Sequence, residues 1–247
     1  MAQCFCTLIS NKKAYFFATN DLTQRENQAI YSSLLKNDGE TMLAMNKQTI
    51  YGILNDADGF SISDGTADKC TTFWKEIFAL LKGKEESEQE FLLGSIMSFV
   101  NKDGLNQIIY GQNKFIAILL ILKAVREKLR FFEHHDTKLQ DICSTIDILI
   151  HGLKCGHIDE KSSRIVMQGK NQESDLLNIV LTGKVANDSK SRNAEAYRFF
   201  QKRINGLSVA QCCSLADIIL YSCFLLHIEA DTEEEGKGAF KLIKEMK

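Results

Sequence analysis

Short apolar, β-prone runs separated by polar turns occupy the first sixty-odd residues, and from residue 66 the apolar positions recur with a helical period. Cys4 to Ser10 and Ala14 to Ala18 predict two strands joined at Asn11-Lys12-Lys13. Thr23-x-x-Glu26 has the form of a capping box and predicts a helix to about Lys36. Thr41 to Met45 and Thr49 to Leu54 predict a second hairpin, followed by a short strand at Phe60-Ser61-Ile62. Further along, apolar stripes predict a helix from Thr66 or Asp68 to Leu81, and one from the capping box Ser87-x-x-Glu90 through Val100. A short helix to Tyr110 follows, then longer ones near 113–133, 137–153, 172–183 and 193–205. Lys154 to Gly169 fits a hairpin, or a loop and a short helix, equally well. Ser208-x-x-Gln211 opens a very apolar helix to about Ile228, expected at the centre of the core, and Ala239 to Met246 suits a last helical piece. The whole predicts an α+β fold in three parts. Residues 1–65 form a small antiparallel β-rich subdomain with one helix, 66–229 a larger helical body, and 230–247 an acidic C-terminal tail.

Composition narrows the function classes. The chain has 247 residues, of which 45% are hydrophobic and 25% charged, which is globular usage and not that of a disordered chain. Lys plus Arg number 30 against 32 Asp plus Glu, a net charge of −2, so there is no global basic excess and no nucleic-acid partner is expected. The longest apolar run, Phe115 to Leu122, ends at Lys123, well short of the ~20 residues a membrane span needs. The first residues carry no basic region followed by an apolar stretch, so no leader and a cytoplasmic location are expected. Of the eight cysteines, Cys143, Cys212, Cys213 and Cys223 sit in apolar patterns and no C-x-x-C pair occurs, so reduced thiols are expected. Proline is absent, which leaves turns to Gly, Asn and Asp.

Candidate chemistry is sparse. Neither a phosphate-loop, a dinucleotide-binding nor a nucleophile-elbow motif is present, and no cofactor is expected. The acidic loop Asn55 to Gly59 fails as a calcium loop, because an alignment on Gly59 puts Leu54 and Gly65 where carboxylates belong. His134 and His135 are adjacent and so cannot form an i, i+4 metal pair; no metal site is expected. His151 and His227 fall within or beside apolar helical patterns, as core or boundary residues. Cys70 stands where a helix should begin, a position whose free N–H groups favour a thiolate. His157 is the best base for it, and Asp159, Asn171 or Asp175 would orient that imidazole. Lys190, Arg192, Arg198, Lys202 and Arg203, with Tyr197, Phe199 and Phe200 among them, form a basic cluster able to touch phosphates or an anionic lipid.

A cysteine at a helix start, Phe73 and Trp74 just after it, and a later histidine resemble papain-like cysteine hydrolases and acyltransferases. That resemblance implies Cys70 as nucleophile and His157 with Asp159 as its base. The chain departs from the family in lacking a Cys-Trp adjacency and a recognisable oxyanion-hole glutamine. The tail from Glu229 to Gly238, with Glu233-Glu234-Glu235 at its centre and Leu242 and Ile243 close behind, resembles the acidic C-terminal block of effectors translocated by type IV secretion systems of intracellular bacteria. It implies delivery into a host cytoplasm and leaves the activity there open. Three functions therefore stand side by side: a protein-interaction module, as a secreted effector binding a host protein; the cysteine hydrolase or acyltransferase; and a phosphate or lipid-headgroup binder using the 190–203 basic cluster.

Overall fold

The computed structural model describes residues 4–10, 13–19, 41–56, 59–62, 70–83, 90–132, 136–154, 157–158, 163–167 and 175–238. The expected helix at 23–36, the His134-His135 pair, Ala57 and Asp58 of the acidic loop, Asp159, Asn171 and the segment 239–246 lie outside them.

The first strands are as expected. β1 (Cys4–Ser10) and β2 (Lys13–Thr19) form an antiparallel hairpin in the register Cys4 to Thr19, and β3 (Thr41–Thr49) pairs with the other edge of β1. The expected second hairpin does not form. The Thr49 hydroxyl instead accepts from the Gly52 amide at 2.9 Å, and this cap turns Ile50–Asp56 into a helix, α1. β4 (Phe60–Ile62) follows, buried on both faces.

The sheet is not confined to the N-terminal region. Two segments that read as helices are strands within it: β5 (Phe91–Val100), and β10 (Cys223–Glu229) near the far end of the chain. β6 (Asn106–Tyr110) replaces the expected short helix, and β9 (Ile165–Met167) pairs at the outer edge. The order is β2-β1-β3-β10-β5-β6-β4-β9. β10 runs antiparallel to β3 and parallel to β5, so it joins the N-terminal hairpin to the rest. The cause of the misreading is physical. A strand covered on both faces carries apolar residues continuously, as a buried helix does, and periodicity cannot separate the two. Glu90, expected to close a helix cap, stands just before β5 and forms an ion pair with Lys47 of β3.

Helices cover one face of the sheet. α2 (Cys70–Gly83) is followed after β6 by α3 (Gln112–Leu129), whose residues Phe115 to Val125 are all buried. α4 (Thr137–His151) is capped by the Asp136 side chain, which accepts from the Lys138 amide at 2.8 Å. β7 (Leu153–Lys154) and β8 (His157–Ile158) make a separate two-stranded hairpin. α5 (Asp175–Thr182), α6 (Arg192–Asn205) and α7 (Val209–Asp217) complete the layer. Ser208 and Gln211 form the expected capping box of α7, but the helix ends at Asp217, and a π turn at Ile218–Ser222 leads into β10.

The main core lies between this layer and the sheet, with α3 packed on α4, α5, α6 and α7. A smaller cluster of Met97, Ile228 and Ala230 covers the opposite face. Residues 233–238 are helical and lie on that second face, where a Cβ at Gly236 would meet Ile109 at 2.2 Å. No helix among the described residues is long and apolar enough to cross a membrane.

Candidate functional site

The sequence candidates fall on separate elements. Cys70 is the first residue of α2, as expected; it is partly buried, carries a free thiol and packs against the main core. His157 lies in β8. α2 packs on α6, α7 and the π turn, whereas β8 packs on β7 and α4. Asp175, the other described candidate to orient an imidazole, accepts a hydrogen bond from the Ser189 hydroxyl. Its pKa is lowered by its bonds to Ser189 and Ser191.

The basic cluster divides by role. Arg198 donates to the Ser189 carbonyl at 2.8 Å and the Ala186 carbonyl at 2.7 Å, so its guanidinium staples the loop before α6. Lys190, Arg192 and Lys202 are exposed. Arg203 is exposed too, and its guanidinium lies 5.4 Å from the centre of the Phe199 ring.

That ring opens the feature that sequence spacing did not reveal. α2 and α6 are separated by over a hundred residues but pack side by side, leaving a groove of about 510 Å³ between them. The α2 wall is one helical stripe, Thr71, Trp74, Lys75, Phe78, Ala79 and Lys82. The other wall is Phe199, Arg203, Gly206 and Leu207. The floor is aromatic. Trp74 stacks on Phe78 at 5.8 Å and meets Phe200 at 6.3 Å, and Phe200 meets Phe199 edge-on at 5.5 Å. Lys82 lies 4.9 Å from the Phe78 ring centre. The lining residues include three cations, Lys75, Lys82 and Arg203, and no carboxylate. The sequence holds the parts, Trp74 and Arg203, but nothing local shows that they line one groove.

Two other features compete with it. A cleft of about 850 Å³ lies where α2, β5, β6 and the start of α3 meet, and its charges, Glu76 and Lys114, are of opposite sign. Lys114 donates to the Leu93 carbonyl, and a Cβ at Gly94 would meet its ammonium at 2.9 Å, so that cation fills the β-bulge. Gly111, at φ 80°, sits 2.5 Å from the Ser95 carbonyl measured from an added Cβ, and only glycine fits there.

The second is a buried polar tie across the sheet. His227 Nε2 lies 2.7 Å from the Ser98 hydroxyl, and Nδ1 lies 2.9 Å from Gln48 Oε1 and 3.5 Å from Glu229. With carbonyl and carboxylate acceptors at Nδ1, that nitrogen carries the proton and Nε2 accepts from Ser98. Burial lowers the His227 pKa below 6.5, and Glu229 partly opposes this. Serine, imidazole and carboxylate here have the order of a hydrolytic triad, yet Ser98 is 1% exposed. Such a group holds β3, β10 and β5 together and offers no entry to a substrate. Histidine 227 is thus a core residue, as expected, but on a strand.

No known protein family and no curated protein matches the chain.

Proposed function

We propose that this protein is a protein-interaction module that receives a helix of a partner protein in the groove between α2 and α6. The observation that carries the reading is the groove itself, lined along one stripe of α2 by exposed Thr71, Lys75, Ala79 and Lys82 above the half-buried Phe78 and the buried Trp74. Its walls are helices, whose backbone groups are spent on their own hydrogen bonds. An extended segment laid there would leave its own N–H and C=O groups unpaired on the groove side, whereas a helix brings them satisfied. The aromatic residues supply the anchors that dominate such contacts. The acidic block at Glu233 to Glu235 supports a further reading, that the module is an effector delivered by a type IV system and the partner a host protein. Replacing those three glutamates with alanine in a translocation-reporter fusion tests that part. Delivery should fall, and unchanged delivery would end it.

Ala79→Arg tests the groove. Ala79 is exposed and arginine keeps the helix, so the melting behaviour should stay within about 0.5 kcal/mol of wild type. A partner protein captured by the wild type should be lost by the variant. The same partner should shift the emission of Trp74, the chain's single tryptophan. A partner retained equally by both, with Trp74 unmoved, would show that docking lies elsewhere.

A further inference from the structure

We infer that the partner element is an acidic amphipathic helix with carboxylates seven residues apart on the face that enters the groove. This rests on the docking reading above and adds the chemistry of the occupant.

The first ground is length. Thr71 to Lys82 spans eleven residue steps of α2, about 16 Å at a rise of about 1.5 Å per residue. A helix lying along it engages about three turns. The second ground is charge. All three ionisable residues in the lining are cations, on both walls: Lys75 and Lys82 on α2, Arg203 on α6. An occupant of neutral or basic character would leave this rim uncompensated, and one bearing carboxylates at the rim would meet it. The third ground is spacing. Lys75 and Lys82 are seven residues apart, about 10 Å along the axis and nearly on the same side of α2. Between them Phe78 and Ala79 face the trough, with Trp74 just before Lys75. A helix lying alongside therefore matches with acidic residues at i and i+7 and apolar residues at i+3 and i+4. The apolar pair meets the Trp74–Phe78 stack while the acids reach the two ammonium groups.

Arg203 and Lys82 are already placed over Phe199 and Phe78. Each cation is thus held beside an aromatic face, which leaves less side-chain freedom to lose when a carboxylate binds.

The test uses the full chain and three tryptophan-free helical peptides with the same apolar pair. They carry Glu, Gln or Lys at i and i+7, and Trp74 emission reads the titration. The Glu peptide should bind about tenfold more tightly than the Gln peptide, the sum of a few rim ion pairs, and the gap should close in high salt. In Lys75→Glu/Lys82→Glu the preference should invert toward the Lys peptide. In Lys75→Gln/Lys82→Gln, which removes charge without reversing it, the Glu and Gln peptides should converge. Equal binding of the Glu and Gln peptides to wild type would overturn the acidic partner while leaving a docking groove in place. No response to any peptide, with the chain folded by circular dichroism, would overturn both. A response to phosphatidylserine vesicles but to no peptide would also overturn both and assign the cations to a lipid surface.

Discussion

The ion pair between α3 and α4 permits a quantitative forecast. Arg126 Nε lies 2.7 Å from Asp147 Oδ2, and the two side chains are only 12% and 11% exposed. With the charge centres about 4 Å apart and an effective dielectric constant of about 20, their attraction is worth about 4 kcal/mol. Withdrawing each ion from water costs several kcal/mol, so the pair as a whole contributes little. The titration of Asp147 agrees in sign: burial raises its pKa above 3.8, although Arg126, Lys123 and His151 all pull it down. A carboxyl whose folded pKa is raised stabilises the fold most fully below pH 3.8 and loses that contribution as the pH climbs through the folded value. At neutral pH the ionised Asp147 is therefore tolerated chiefly because Arg126 faces it. Arg126→Met or Asp147→Leu alone strands one charge and should cost about 3 kcal/mol, lowering the melting temperature by about 10 °C in a chain of this size. The double variant strands nothing and should lie within about 1 kcal/mol of wild type. Urea denaturation of the four proteins gives the coupling energy directly. A double variant that loses the sum of the two single losses would refute the reasoning, for it would mean that the residues act separately.

Two further outcomes follow from burial. The His227 pKa is lowered in the fold, so the unfolded chain takes up the proton first: stability is complete above pH 6.5 and declines as the pH falls below it. Urea midpoints at pH 8, 6 and 5 should therefore drop more for wild type than for His227→Gln, and parallel curves would show that another group sets the acid limit. Among the five thiols described, Cys70 should react first with iodoacetamide, because Cys143, Cys212, Cys213 and Cys223 are buried and burial pushes Cys212 up to about 11 and Cys223 to about 12. Peptide mapping by mass checks the order, and equal modification of Cys223 would contradict it. The cysteine-hydrolase reading demands more, a Cys70 rate near neutral pH above that of free cysteine.

What could be read from the residues depended on how many faces an element buries. The β1–β2 hairpin and the helices α2, α3, α4, α5 and α6 follow the expected ranges because their turns, caps or apolar stripes are local signals. β5 and β10 were unreadable as strands. Phe91 to Val100 and Cys223 to Glu229 lie between neighbours on both edges and apolar clusters on both faces, so their alternation is erased. The Ser98–His227–Gln48 tie was hidden with them, since His227 and Glu229 share a face only on a strand. The groove was invisible for another reason: it depends on α2 meeting α6, a contact that tertiary packing alone decides.

The place of β10 in the sheet has a consequence for synthesis. The hairpin of β1 and β2, with β3, is made first, but it reaches β5 only through a strand that begins at Cys223. While the ribosome is still adding the residues between Thr49 and Cys223, the early strands present an unpaired edge and have no route into the final sheet. Assembly is therefore gated by the late chain, and a ribosome stalled before residue 223 would carry two half-sheets that cannot merge.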